Sequence, residues 1–265
     1  MRVLQLSDPH LLADPGGRCR GVEALAQLRH GWHQAMAQLD GEAPDLLLIS
    51  GDLCQDESWG GYGNLRDWLA EAVDPLGLPV VLLPGNHDHL VLLRAALGRS
   101  VAAIAPAALA CGAWQVLLLN THRPGAVQGW IEPAQLAWLA ARLAEARGPI
   151  LVAMHHPPLA IGGGSFLDRL ALQRPDAVLD LLRACPHVCG VVFGHVHQHW
   201  QGEVARPGGG PPLPLWGCPS TLAAFEAVQP CPLGRPEWPG GRLLTCTAAA
   251  AITTRLLRWP PLEAA

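Results

Sequence analysis

The sequence predicts an α/β protein whose strands are buried on both faces and joined by helical crossovers. Two observations predict it. Five runs of strand length, residues 3–6, 45–50, 79–83, 149–154 and 188–193, are almost continuously apolar, without the alternation of a half-exposed strand. Between them lie longer stretches whose apolar residues recur at helical intervals. A third observation concerns the residues at the ends of the runs. Asp8-Pro9-His10, Gly51-Asp52, Gly85-Asn86-His87-Asp88, His155-His156 and Gly194-His195-Val196-His197 each stand where a run stops.

In chain order, Arg2–Ser7 is a short strand that ends at Asp8. Gly21–Leu39 spaces Val22, Leu25, Leu28, Trp32, Ala35 and Leu39 as one helix face, ended by Gly41 and blocked by Pro44. Asp45–Ser50 is the second strand. A helix over Tyr62–Val73 presents Leu65, Trp68 and Leu69. Pro79–Leu83 is the third strand, and a short helix over His89–Leu97 comes after its motif. Trp114–Leu119 is a strand, and Pro133–Ala146 an amphipathic helix with Leu136, Leu139 and Leu143 in a row. Pro149–Met154 is a strand. Pro175–Cys185 is a helix with Val178, Leu179 and Leu182 inward, and Val188–Phe193 is a strand. From residue 201 to 241 the chain is rich in Pro and Gly with little periodicity, which predicts a long loop region, its Pro/Gly-rich part at 206–241. Arg242–Thr247 and Ala251–Arg258 are expected to close the fold as an antiparallel pair over 242–258, giving a single domain over 1–265.

Bulk composition excludes several roles. The net charge is −4, and all 18 basic residues are Arg with no basic stripe, so no nucleic-acid polymer is expected as a partner. No apolar run reaches the roughly 18 residues of a membrane span. Eight Cys without Cys-x-x-Cys spacing, and a first strand that starts almost at Met1, lead to the expectation of a cytoplasmic protein with reduced thiols.

Eight of the twelve His fall in the strand-end motifs or, as His89 and His199 do, within two residues of them. Ligands of α/β sheets bind beyond the carboxyl ends of strands, so these motifs describe one converging site. Imidazole with carboxylate suits Zn, Mn, Fe, Co or Ni. If Asp8–His10 and His195–His197 are extended, both members of each pair face the same way. With Asp52, Asn86 and His155 they supply seven candidate ligands. That is too many for one tetrahedral ion and suits two, with Asp52 as the bridge. His155 is expected to be the ligand of its adjacent pair and His156 to stand behind it. Taken singly, each of these residues is more simply a turn or cap residue; only the set argues for metal. His30, His33 and His187 read as ordinary, His89 and His199 as rim residues, and His122 as a residue that could approach the site. Cys54 reads as a small buried residue, Cys185 and Cys189 as structural, Trp59 and Trp216 as packing, and Gly162-Gly163-Gly164 as a loop without a phosphate-binding context.

Taken in order, Asp8-x-His10, Gly51-Asp52, Gly85-Asn86-His87-Asp88, His155 and Gly194-His195-x-His197 resemble the five blocks of the calcineurin-like metallophosphoesterases, across about three quarters of the chain. Leu6-Ser7-Asp8-x-His10-Leu11, His155-His156-Pro157-Pro158, Gln135-Leu136-x-Trp138-Leu139 and Pro219-Ser220-Thr221 further resemble the bacterial class III cyclic-nucleotide phosphodiesterases, although glycerophosphodiesterases share several of these. The resemblance implies a four-layer α/β/β/α sandwich of two mixed sheets flanked by helices. It implies one metal on Asp8, His10, Asp52 and His197, and a second on Asp52, Asn86, His155 and His195, drawn from Fe, Mn, Zn or Co. It implies hydrolysis of a small phosphodiester, 3′,5′-cyclic AMP to 5′-AMP, with glycerophosphodiesters as the alternative, by a metal-bridging hydroxide while His87 assists the leaving group. Charge agrees: two divalent ions, two carboxylates and a hydroxide leave about +1 for a monoanionic diester. Two departures stand out. Pro9 replaces a smaller or polar residue, and Gln55-Asp56 leaves Asp56 as the acidic candidate there. Asp56 or Asp88 is expected to hold the second nitrogen of His87.

Overall fold

The structure, a computed structural model, describes residues 1–162, 164 and 166–262. The chain runs β1 (Arg2–Leu6), β2 (Arg18–Cys19), β3 (Val22–Glu23), α1 (Ala24–Ala37), β4 (Leu46–Ile49), α2 (Trp59–Ala72), β5 (Val80–Leu82), α3 (Leu90–Leu97), β6 (Ala103–Ile104), β7 (Ala107–Cys111) and β8 (Trp114–Leu118). It continues through α4 (Pro133–Ala144), β9 (Ile150–Met154), α5 (Asp176–Ala184), β10 (Val188–Phe193), β11 (Trp200–Val204), β12 (Leu213–Gly217), β13 (Gly240–Cys246) and β14 (Ile252–Arg258).

Two six-stranded sheets result, in the orders β14-β13-β1-β4-β5-β6 and β11-β12-β10-β9-β8-β7. Both are mixed. In the first, β1, β4, β5 and β6 run parallel, while β13 pairs antiparallel with β1 and with β14. In the second, β8, β9, β10 and β12 run parallel and β7 and β11 are antiparallel edges.

The strands are apolar throughout because each face meets a different core. On β4, Leu46 and Leu48 point between the sheets, against Val116, Leu118, Leu151 and Val192. Leu47 and Ile49 point the other way, into Leu28 and Trp32 of α1 and Leu65 and Trp68 of α2. Trp32 and Trp68 meet edge to face at 5.8 Å. On the far side, Leu117, Ile150, Val152 and Val191 bury against Leu139 and Leu143 of α4 and Val178 and Leu182 of α5. These are the four layers α/β/β/α. Each such buried side chain stabilises the fold by about 1.5–3 kcal/mol relative to exposure.

The closing pair lies where expected, as β13 and β14. The long loop region is corrected by two strands, β11 and β12, inside the aperiodic stretch. β12 is a parallel neighbour of β10, and β11 is an edge with alternating burial. β2 and β3 form a small hairpin at the start of the predicted first helix, turned by Arg20 and Gly21 at φ +52° and +80°. β6 and β7 likewise have no counterpart among the strands predicted from the sequence. Among the described residues no helix is long and apolar enough to cross a membrane.

Candidate metal centre

The loops after β1, β4 and β5 of one sheet and after β9 and β10 of the other meet at one end of the sandwich. Parallel pairing continues past the strands. Asp8 N–H donates to Gly51 O (3.0 Å), and His10 N–H to Asp52 O (2.9 Å). Across the sheets, His195 N–H donates to the Asp8 carboxylate (3.2 Å), and within the second sheet Gly194 N–H donates to His155 O (3.1 Å). Ser220 Oγ–H donates to Asp8 O (2.8 Å).

The predicted reason for convergence is corrected by the backbone. Asp8–His10 and His195–His197 are not extended. Asp8, His10, Asp52, His195 and His197 have φ of +51°, +48°, +48°, +68° and +52°. This left-handed region is costly for side chains, of order 1–3 kcal/mol per residue, and such strain collects at functional sites. It turns each member of a pair inward by its own backbone twist. Two motif glycines make room: a Cβ on Gly51 (φ +103°) would overlap the His155 ring, and one on Gly85 the Asp52 carboxylate.

Two donor clusters result. Asp8, His10, Asp52 and His197 each offer a ligand atom within 4.8 Å of the others, all buried. His10 Nε2 lies 3.1 Å from His197 Nε2 and 3.7 Å from Asp52 Oδ2, and His197 Nε2 lies 3.5 Å from Asp8 Oδ1. Beside it, His155 Nε2 lies 3.2 Å from His195 Nδ1, 3.3 Å from Asn86 Oδ1 and 3.4 Å from Asp52 Oδ1. Asp52 therefore turns one oxygen to each cluster.

The donors fit cations. His197 Nδ1–H donates to Ala223 O (2.9 Å) and His155 Nδ1–H to Ser50 O (2.7 Å), which fixes both tautomers with Nε2 facing inward. Among the described residues, His10 Nδ1 and His195 Nε2 are buried without a hydrogen-bond partner. Burial pushes His10 down to about 4 and His195 to about 3, as neutral donors require. Burial would raise Asp52, but His155 outweighs it and holds the carboxyl well below its ordinary range. Burial would lower His155, but Asp52 pushes it up to about 9. Two buried carboxylates thus call for positive charge at this point. Imidazole nitrogen, carboxylate and amide oxygen form a donor set for two transition-metal ions.

His156 is also within 4.8 Å of His155 and His195, yet both its nitrogens are engaged. Nε2–H donates to Val127 O (3.0 Å) and Nδ1 accepts from Thr121 Oγ1 (2.7 Å). Its ring packs on that of His195 at 4.5 Å. Of the adjacent pair, His155 is the one with a nitrogen, Nε2, that no backbone or hydroxyl group takes and that faces the cluster.

His87 is half-buried. Its N–H donates to Asp52 Oδ1 (2.9 Å), and its ring stands edge-on to His10 at 5.1 Å. The expected carboxylate partner is not there. Asp88 accepts instead from Gly85 N (2.8 Å), Leu53 N (3.1 Å), Cys54 N (3.1 Å) and the Tyr62 hydroxyl (3.1 Å), clamping the loops around Asp52. Burial and the Asp52 charge push it up to about 7. Asp56 is exposed and accepts from Ala13 N (2.9 Å) and the Cys54 thiol (3.1 Å).

Other expectations resolve simply. His89 caps α3 through Nδ1 (3.3 Å from Leu92 N), and His199 is buried with Nδ1 against Arg242 (3.0 Å). All eight Cys are free thiols. Trp216 packs between the sheets. Gly162 and Gly164 donate to Asp168, and Gly163 lies outside the described residues. Sequence reasoning missed Phe225, whose ring stacks on His197 at 4.2 Å and 14°, with the Arg20 guanidinium 4.4 Å above its other face. Nothing in the aperiodic segment around Phe225 signals this.

Comparison with known proteins places these residues in context. The model of the family described as calcineurin-like phosphoesterase matches residues 1–199. A protein of Synechococcus sp. (strain WH7803), named a probable cyclic nucleotide phosphodiesterase, is 45% identical over 270 residues, covering 100% of this chain and 98% of that protein. A 3′,5′-cyclic adenosine monophosphate phosphodiesterase of Pseudomonas aeruginosa is 34% identical over 227 residues, covering 84% and 77%. A dimetal phosphatase from Danio rerio shares the fold, with a TM-score of 0.61 at 15% identity and coverage of 98% and 97%.

Proposed function

The chain belongs to the calcineurin-like phosphoesterase family, and from that premise we propose that it hydrolyses 3′,5′-cyclic AMP to 5′-AMP at a centre of two metal ions. The observation that carries this reading is the placement of Asp52, one oxygen toward each of two buried donor clusters. The names of the relatives, cyclic-nucleotide phosphodiesterases, support the substrate.

In this reading Asp8, His10, Asp52 and His197 hold one ion, and Asp52, Asn86, His155 and His195 the other. The donor set suits Mn, Fe, Co or Zn. When bound, such a pair supplies Lewis acidity and a water of lowered pKa, so no protein nucleophile is needed. The chain does the rest. The Ala223 and Ser50 carbonyls hold His197 and His155 in their donor tautomers. Asp88 holds the loops that aim Asp52. His87, half-buried and with no hydrogen bond to its ring among the described residues, delivers a proton to the 3′-oxygen as the P–O3′ bond breaks. The eight free thiols suit a reducing compartment, and we place the protein in the cytoplasm.

The test is product analysis. Protein stripped with a chelator and reloaded with Mn²⁺ should convert cyclic AMP to 5′-AMP, faster than it cleaves glycerophosphocholine. Intact cyclic AMP after loading with Mn, Fe, Co or Zn in turn would overturn the reading.

A further inference from the structure

The turn at the end of β8 opens onto a groove that the chemistry above does not use. A cavity of about 350 Å³ is lined by Asn120, His122, Trp130, Glu132 and Trp138 among others. A second, of about 500 Å³, is lined by Asp88, His89 and again Asn120 and His122. The shared pair makes them neighbours along one groove, with Asp88 and His89, which follow Asn86 and His87 in the chain, lining one part and the two indoles lining the other.

Hydrogen bonds show which groups along it are already committed. Gln135 clasps the main chain of Asn120 twice: Asn120 N–H donates to Oε1 (2.8 Å), and Nε2–H donates to Asn120 O (2.7 Å). Asn120 Oδ1 accepts from His122 N–H (3.0 Å). Thr121 is tied to the His156 ring (2.7 Å), and its carbonyl accepts from Trp130 N–H (2.9 Å). The turn is thus held rigidly between α4 and the histidine behind the second donor cluster. Among the described residues, the Asn120 Nδ2 amide, the His122 ring and the Glu132 carboxylate have no partner. Trp130 is flanked by the guanidinium groups of Arg123 and Arg174 at 5.9 and 5.7 Å, whereas Trp138 packs in part on the core and lines the cavity with the rest of its surface.

We propose that this groove seats the purine base of the substrate, with Trp138 as its stacking surface, Asn120 Nδ2–H as donor to a ring nitrogen and His122 beside the ribose. The inference rests on the cyclic-nucleotide reading above. A fixed amide donor near a free carboxylate matches a purine edge, where a ring-nitrogen acceptor adjoins N–H donors. Stacking is sequence-tolerant but grows with ring area, which favours purine over pyrimidine.

Two variants test it. Asn120→Asp keeps the Oδ1 that holds His122 and replaces the donor by an acceptor. Trp138→Leu removes the stacking surface. For each, kcat/KM is measured on cyclic AMP, cyclic CMP and bis(p-nitrophenyl) phosphate, a diester without a base. Asn120→Asp should lower the ratio of cyclic AMP to bis(p-nitrophenyl) phosphate by about tenfold or more, and Trp138→Leu should lower the ratio of cyclic AMP to cyclic CMP by a similar factor. Ratios within about twofold of wild type in both variants would overturn the base seat while leaving the reaction intact. Wild-type protein that cleaves bis(p-nitrophenyl) phosphate and no cyclic nucleotide would overturn the cyclic-nucleotide reading itself, and the seat with it.

Discussion

Asp52 and His87 divide the work of one small region, and substitution separates them. Asp52 is buried between the clusters, so Asp52→Asn keeps the shape and removes the charge both clusters share. It should bind fewer than two ions per chain by elemental analysis and lose activity by about 10²-fold or more. His87 meets the first cluster only edge-on against the His10 ring (5.1 Å) and is not among its donors. His87→Ala should keep full metal content, slow cyclic AMP by about 10²-fold, and slow bis(p-nitrophenyl) phosphate much less, because nitrophenolate leaves without a proton. An unchanged rate on cyclic AMP would remove its assigned role. Phe225→Ala should weaken metal retention by roughly tenfold, since the ring that backs His197 is gone; competition with a chelator reads this directly. The seven candidate ligands were legible because His and Asp at the ends of apolar runs are unusual together. Phe225 was not, because its contact with His197 joins segments 28 residues apart with no period between them.

At the level of elements, the loop after β5 depends on α2. The Tyr62 hydroxyl donates to Asp88 (3.1 Å) and accepts from His89 N–H (2.6 Å), so a helix residue holds the C-terminal side of the Asn86–His87 turn. Tyr62→Phe should destabilise the protein by about 1–3 kcal/mol in urea unfolding and loosen the second ion. Ser58→Ala, which removes the α2 cap on Gly61 N–H (2.9 Å), should cost about 1 kcal/mol without changing metal affinity. A metal effect as large in Ser58→Ala would mean the loop senses general helix stability rather than Tyr62. Helices and central strands were readable from apolar spacing alone. β11 and β12 were not: Gly202 and Pro214 interrupt them, and β12 is recognisable as a strand only through its pairing with β10 and β11.

Across the whole molecule, the site belongs to neither sheet. β1, β4 and β5 bring Asp8, His10, Asp52 and Asn86 from one side, and β9 and β10 bring His155, His195 and His197 from the other. Apolar spacing marks these strands as parallel and buried; their division between two sheets is legible only through the resemblance that the strand-end motifs carry. The chain passes from one sheet to the other between β6 and β7, and β13 returns to pair antiparallel with β1, a contact between the two ends of the chain. Ions held across both sheets should tie them together. Loading should therefore raise the unfolding temperature, by a stabilisation of about 2.7 kcal/mol at a hundredfold excess over Kd for one site. Anomalous scattering from a crystal of the Mn²⁺-loaded protein locates the ions themselves. Two peaks about 3.5–4 Å apart, with the Asp52 carboxylate between them and Asn86 and His155 beside only one, are the expected result. A single peak, or two that do not share Asp52, would contradict it.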